Sequence, residues 1–364
     1  MALTIPSPQP TSHSPPFQVH RFPQDQYIDA LRWLPQLSAF HRHVLLATFN
    51  SDTSISSLQT LTYTPNSPPN LSLQSSYPTP SRITSLKTLL IPQSPKPLIA
   101  ASTLSGSLLF LSADLVNGSL DFEFSVPEKG FHRGPVSGID VDGNGSGSVV
   151  SVGEDGKINL IGIGSEGRGS NQRFFDSNGL VSYSTVKWAS PFEFVTGGLG
   201  YSLQWWDQRR PGGPVSQFKG NWSSGTTTGI VHSVDIHPSR KHTCLAGGSS
   251  GTVFAWDLRW QHQPVILSGA GTPETYSPSE SEIWEVQYDN YTHSSNIRNV
   301  SSSRVLPAMI CSEDGILAVI EQSEVPMELL AEPCAINSFD IDKENPSDVI
   351  CSLEWESIAI LTRS

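Results

Sequence analysis

LAGGSSGTVFAWDLRW, residues 245–260, reads as an apolar run, a small turn ending in Gly, and a second alternating run that closes on Trp-Asp. That pattern is an antiparallel hairpin. The phrase recurs. VTGGLGYSLQWWDQR (residues 195–209) aligns without a gap to residues 245–259, fifty positions on, and VSVGEDGKINLIGIG (150–164) and MICSEDGILAVIEQS (309–323) are further copies. Ahead of the four hairpins stand short alternating strands, VSGIDV (136–141), VSYSTVKW (181–188), IVHSVDI (230–236) and IWEVQY (283–288).

A hairpin with one or two flanking strands cannot bury its apolar face alone, whereas radial packing of similar sheets can, and the result is a β-propeller. First strands beginning near Ile28, Arg82, Val136, Val181, Ile230, Ile283 and Ile336 make seven units. The last unit runs out after three strands. FQVHRF (17–22) alternates correctly and has no hairpin partner, so it is expected to supply the missing outer strand and close the ring. The expected architecture is all-β: a single seven-bladed WD40-type propeller with degenerate repeats over residues 17–364. A disordered Pro/Ser-rich N-terminus (1–16) precedes it, and flexible loops are expected at 64–81, 269–282 and 291–304.

Composition agrees. Gly and Pro are scattered throughout and only 15% of residues are charged, which suits short strands and tight turns. A net charge of -12, with no run of Lys or Arg, argues against a surface that tracks phosphates. The N-terminus lacks both a basic and an apolar signal region, and no stretch of eighteen apolar residues occurs, so a soluble, non-secreted chain is expected. Cys244, Cys311, Cys334 and Cys351 show no CxxC spacing and read as reduced core residues.

The hairpin phrase resembles the WD-repeat propellers. In that family each blade tends to carry a His before its first strand, a Ser or Thr in the second, an Asp in the next turn and a Trp in the third, forming a buried hydrogen-bonded network. Here the set is kept in pieces. The third unit holds His132, Ser151 and Asp155, with Leu160 in the place of the Trp. The fourth has Trp206 and Asp207, the fifth Trp256 and Asp257 with Ser249 and Ser250 where the turn Asp would be, and the sixth has Asp314 with Val319 or Ile320 at the Trp place. Length, clearer repeats in the middle blades and a chain that ends inside the last blade make it similar to the small WD-repeat nucleoporins of the Y-shaped outer-ring complex of the nuclear pore, with Ser/Pro-rich loops that suit a plant version. The resemblance implies a scaffold at the nuclear envelope that supports pore assembly, mRNA export and protein import. Its implied partners are α-helical scaffold nucleoporins and other WD-repeat members of that complex, without direct nucleic-acid contact, membrane insertion, cofactor or small-molecule substrate.

Candidate chemistry is sparse. Gly162-Ile-Gly-Ser-Glu-Gly167 matches GxGxxG, yet no helical period follows to present backbone N–H groups to a pyrophosphate, so it reads as a loop. His232, Ser233, Asp235 and His237 sit on one strand, whose neighbours point to opposite faces and cannot share a proton. The Glu-Asp-Gly turns at 154–156 and 313–315 lack the spaced ligands of a calcium loop. Trp205 and Trp206 are neighbours, and alternation predicts that only one of them points inward; Trp260 lies past the strand end, so exposed tryptophans here are candidate contact anchors. Trp206-Asp-Gln-Arg209 and Trp256-Asp-Leu-Arg259 are similar to the motif by which cullin-4 ligase substrate receptors dock their adaptor. Arg209, Arg259 and Trp260 are therefore the interaction candidates, and a substrate-receptor role is the alternative function. Lys343-Glu344-Asn345 resembles a mitotic degron in an Asn-Pro turn, and Thr79, Thr272 and Ser277 precede proline in segments open to phosphorylation.

Overall fold

The computed structural model describes residues 17–363, apart from the stretches 37–41, 91–93, 144–146, 165–167, 220–228, 259–263, 269–277 and 296–304 and the single positions 67, 95, 130 and 201. Seven four-stranded antiparallel sheets form a closed ring of blades. Their innermost strands are Tyr27–Trp33, Ile83–Leu89, Val136–Val141, Tyr183–Ser190, Val231–Ile236, Ile283–Tyr288 and Ile336–Ile341 in blades 1 to 7. Each inner strand shifts register by one residue near its start, between Ile28 and Ala30 in blade 1 and at the matching place in the other six. A bulge sharpens strand twist, and its sevenfold repetition turns every blade alike at the channel wall.

Blade 7 takes Ile336–Ile341, Asp348–Leu353 and Ser357–Arg363 from the end of the chain and Phe17–Pro23 from its beginning. The closing pair is antiparallel, from Phe17 opposite Arg363 to Pro23 opposite Ser357. Strand pairing thus removes the free edge that an open ring would leave.

The two glycines in each of the phrases LAGGSSG and VTGGLGY are explained by close approach, the first to the next blade and the second to the start of its own blade. A Cβ at Gly247 would sit 2.3 Å from Val286 Cγ1 of the next blade, and one at Gly248 only 1.9 Å from the Ile230 carbonyl oxygen. Only a bare backbone fits there.

The core is not one cluster but seven, each lying in the seam between two successive blades, including the seam that joins blade 7 to blade 1. Both faces of every blade are therefore interior. This corrects the expectation for the paired tryptophans: Trp205 and Trp206 point to opposite faces and both are fully buried. Trp205 packs with Trp256 and Phe218 in the seam between blades 4 and 5, and Trp206 with Phe194, Tyr183 and Trp188 in the seam between blades 3 and 4.

Two further expectations change. The segment 64–81 is not a loop for most of its length, since Asn70–Thr79 is the outer strand of blade 1, paired along Ile55–Thr64. Its polar sequence belongs to the solvent-facing rim. The segment 291–304 begins inside a short helix, Asn290–Ser295, in which Thr292 is buried and its hydroxyl donates to the Asp289 carboxylate at 2.6 Å. Of the third segment, 278–282 is described, with Ser279 buried, while 269–277 lies outside the described residues.

Connections alternate between two faces of the disc. The front face carries the turns from second to third strand and the links from one blade to the next; the back face carries the links from first to second and from third to fourth strand.

Candidate functional site

Blade 3 holds the densest polar network. His132 is buried, with Nδ1 at 3.0 Å from Asp155 Oδ1 and Nε2 at 3.1 Å from the Ser151 hydroxyl and 2.9 Å from the Asn159 amide nitrogen. In this geometry Nδ1 donates to the carboxylate, and the single lone pair of Nε2 is shared between the Asn159 amide and the Ser151 hydroxyl. Arg173 then donates to Asn159 Oδ1 at 2.6 Å and to the Phe131 carbonyl at 2.8 Å, carrying the network to the outer strand. Asp155 also accepts the backbone N–H groups of Arg133 and Lys157. Against the desolvation that would raise it, the bonds from His132 and these amides hold the Asp155 carboxyl far below the usual range. Gly153 is required beside it, because a Cβ would lie 2.7 Å from His132 Nδ1.

Register also corrects one position. Trp206 pairs across from Phe194 and Trp256 from Cys244, and the equivalent pair in blade 3 is Ile161 with Val149. Ile161, not Leu160, occupies the Trp place; a shift of one residue on a strand moves to the other face. In blade 4, Trp206 Nε1 donates to Thr196 Oγ1 at 3.0 Å. In blade 5, Trp256 is fully buried beside Ala246, which has no hydroxyl to offer, and the Thr243 hydroxyl donates to Asp257 at 3.2 Å. In blade 6 the Ser312 hydroxyl donates to Asp314. Desolvation works against ionisation there, and serine hydroxyls of Ser312, Ser279 and Ser281 hold Asp314 below the ordinary carboxylate range.

The channel holds charges that motif reading missed. The residue five from the start of each inner strand's repeat is Arg32, Lys87, Asp140, Lys187, Asp235, Gln287 or Asp340. Three of these carboxylates staple successive blades: Asp140 accepts the Trp188 N–H at 2.8 Å, Asp235 that of Tyr288 at 2.9 Å and Asp340 that of Trp33 at 2.8 Å. Lys187 lies 3.5 Å from Asp235 and 4.0 Å from Asp140, and Arg32 reaches Glu285 at 2.5 Å. Asp140, despite burial and together with Asp235, pushes the Lys187 ammonium up. Lys87 has no such pair among the described residues; burial, with Lys187 beside it, brings it down to about 8. The signal was present as a charged residue at one fixed place in six of the seven inner strands, with Gln287 in the remaining one.

The paired Trp-Asp-X-Arg motifs differ in what can be described. Asp207 and Arg209 form a fork within their own turn, with Nε and Nη2 of Arg209 each 2.8 Å from a carboxylate oxygen, and the guanidinium lies over the Phe192 ring. The Arg209 side chain remains 60% exposed on the back face. Arg259 and Trp260 lie outside the described residues.

The remaining candidates separate. His232 pairs with Glu282 at 2.6 Å, Ser233 accepts the Val286 N–H and Asp235 the Tyr288 N–H, while His237 accepts the Ser239 N–H on a different turn. Each side chain is thus committed elsewhere. Lys343, Glu344 and Asn345 are exposed, but Asp342 Oδ1 caps the amides of Glu344 and Asn345 and folds the motif into a turn. Thr79 sits in the outer strand of blade 1 with its hydroxyl donating to the Ser81 carbonyl, and Thr272 and Ser277 lie outside the described residues. Gly162 ends a strand, and the next element, Asn171–Asp176, is again a strand and not a helix. All four cysteines are buried, and burial pushes the Cys244 and Cys351 thiols up to about 12. No group of three His, Cys, Asp or Glu suited to a metal occurs among the described residues.

No family model matches the chain. It is 56% identical over 360 residues to the nuclear pore complex protein NUP43 of Arabidopsis thaliana, covering 95% of this chain and 98% of that protein. Nucleoporin Nup43 of Mus musculus is 29% identical over 229 residues, 60% of this chain and 52% of the mouse protein. The human Nup43 is 30% identical over 172 residues, 46% of this chain and 38% of that one. These mammalian matches span about half or less of the relatives' length. With a seven-bladed ring and a plant relative aligned almost end to end, the chain belongs to the Nup43 family of nucleoporins.

Proposed function

We propose that this protein is a non-enzymatic structural scaffold of the nuclear pore. It works at the nuclear envelope within the Y-shaped outer-ring complex, where α-helical scaffold nucleoporins and other WD-repeat members are its partners, and it supports pore assembly, mRNA export and protein import. The observation that carries this reading is the 56% identity maintained over 95% of the chain with a nuclear pore complex protein. The commitment of the channel carboxylates and of His132 to inter-strand and inter-blade hydrogen bonds agrees with a scaffold, since these groups act as fasteners. A fluorescent fusion expressed from the native locus should decorate the nuclear rim and co-purify with outer-ring proteins; a diffuse signal with no pore proteins bound would reject the reading.

One observation favours the cullin-4 substrate-receptor alternative, namely the 60% exposure of Arg209. Its fork to Asp207 already engages two of the three guanidinium nitrogens. Changing Arg209 and Arg259 together to Ala should abolish adaptor binding under the alternative and leave the rim signal intact under the scaffold reading.

A further inference from the structure

The two faces of the disc differ in charge. None of the seven front-face turns between second and third strands contains Lys or Arg, and four of them carry exposed acids, Asp52, Glu154, Glu313 and Glu354. The back-face links instead mix both signs, setting Lys96, Arg209, Arg210, Arg240 and Lys241 against acids such as Asp114, Glu321, Glu324 and Glu344. The chain's net charge of -12 is therefore felt mainly at the front.

On that acidic face lies an arc of exposed apolar side chains across blades 7, 1 and 2: Trp355, Tyr27, Ile55 and Leu104. Trp355 is 66% exposed and Ile55 56%. Backbone bonds tie its two outer turns to the neighbouring blade links: Gln24, three residues before Tyr27, donates its N–H to the Glu356 carbonyl at 2.7 Å, and Leu104 donates to the Arg82 carbonyl at 2.9 Å. Two cations near it are engaged, Arg82 with Asp29 and over the Phe49 ring and Arg21 with Glu332 at 2.6 Å, while exposed Arg133 borders the blade 2 end of the arc beside the Leu104 turn. What remains for a partner is apolar surface framed by Asp52, Glu354 and Glu356.

The turns that present Trp355 and Ile55 are conformationally expensive. In blades 2, 3 and 6 the last or next-to-last turn residue is Gly106, Gly156 or Gly315, with φ of 93°, 76° and 84°. Blades 1, 5 and 7 place Ser54 (φ 55°), Ser250 (φ 57°) and Glu356 (φ 53°) in that left-handed conformation, and in blades 1 and 7 that residue stands beside an exposed large apolar side chain. A side chain retained where glycine is easier, beside an exposed tryptophan, marks a surface shaped for contact more than for stability.

From the exposed arc and the charge around it we infer that the front face over blades 7, 1 and 2 docks a basic amphipathic segment of a neighbouring scaffold protein, with Lys or Arg flanking apolar anchors that cover Trp355 and Leu104. Acidic framing steers such a segment and repels both nucleic acid and another acidic face, so a second copy of this chain docking front to front is disfavoured. This inference rests on the pore-scaffold reading and adds the face and the chemistry of the partner.

The test uses the full-length protein in cells. A photo-cross-linking phenylalanine derivative is placed singly at Trp355, at Ile55, or on the back face at Val116 or Val325, which are 80% and 69% exposed, and the linked peptides are sequenced. Expected are links from positions 355 and 55 to a pore protein, in peptides that combine Lys or Arg with apolar residues. In parallel, the triple change Glu354→Lys, Trp355→Ala and Glu356→Lys should lower rim enrichment at least fivefold, with a near-ultraviolet spectrum and melting curve like those of the parent. Links to pore proteins only from Val116 or Val325, links to acidic peptides or to a second copy, or a folded triple variant with full rim enrichment would each overturn the docking face while leaving the scaffold reading standing. Absence of the unmodified protein from the rim would instead remove the scaffold reading itself. If the triple variant misfolds, the single-site cross-links at Ile55 still decide.

Discussion

Trp205 and Trp206, adjacent in the chain, both have no exposure to solvent, yet they lie in different hydrophobic seams and differ in polar partnership. Trp206 Nε1 donates to Thr196 Oγ1, whereas Trp205 Nε1 has no acceptor among the described residues. Replacing either by Ala should cost about 3 to 5 kcal/mol. Replacement by Phe should separate them: Trp206→Phe also strands the Thr196 hydroxyl and should cost about 1 kcal/mol more than Trp205→Phe. Urea unfolding of the two variants measures the difference, and equal costs would mean that the Thr196 bond contributes nothing net.

Asp155 makes stability depend on acid. Its carboxyl is lowered in the folded state by His132 and two backbone amides, overcoming desolvation. A depressed folded value means that the stabilisation is complete above the ordinary value of 3.8 and is lost as the pH falls below it. Melting temperature plotted against pH should therefore fall less steeply below pH 4 for Asp155→Asn than for the parent, although the variant starts lower at pH 7.

Lys87 has the opposite sign. Burial brings it from an ordinary 10.5 down to about 8, so the unfolded chain binds more protons between those values and stability rises with pH across that window. Lys87→Met should stabilise the fold at pH 7 by about 1 to 3 kcal/mol, with the gain shrinking as the pH is raised from 8 to 10.5. A pH-independent gain would assign the effect to packing and not to the buried charge.

Glu356 stands in the left-handed region where other blades use glycine. Glu356→Gly should raise stability by about 1 kcal/mol, read as a higher denaturation midpoint with an unchanged slope. The same change removes one acid from the Trp355 arc, so a variant that is more stable and binds its partner more weakly is the expected combination.

Most of the ring was legible because its grammar is local. The hairpin phrase recurs at intervals of 45, 50 and 64 residues, and each copy brings a turn and a period-two pattern that only radial packing can bury. The strand Phe17–Pro23 was recognisable by a pattern without a neighbour. Less legible was Asn70–Thr79, whose rim position leaves it Ser-rich and proline-bearing, with few core residues to reveal a strand. Alternation misled at Trp205 and Trp206, because it was applied as though a sheet had one wet face; between two seams both faces are dry. The channel ring escaped motif reading since a blade contributes at most one charged residue at the shared position, and its meaning as a staple appears only when Asp140, Asp235 and Asp340 are seen beside the next blade's amides. Nor does sequence pattern reveal which turns share a face, so the charge asymmetry between front and back needed the topology.

The central claim is membership of a pore scaffold, and quantitative mass spectrometry of the natively tagged protein, purified from extract in moderate salt, tests it most directly. The account predicts outer-ring nucleoporins at near-stoichiometric abundance. A cullin-4 adaptor at that abundance, with nucleoporins absent, would contradict it and transfer the function to Arg209 and Arg259.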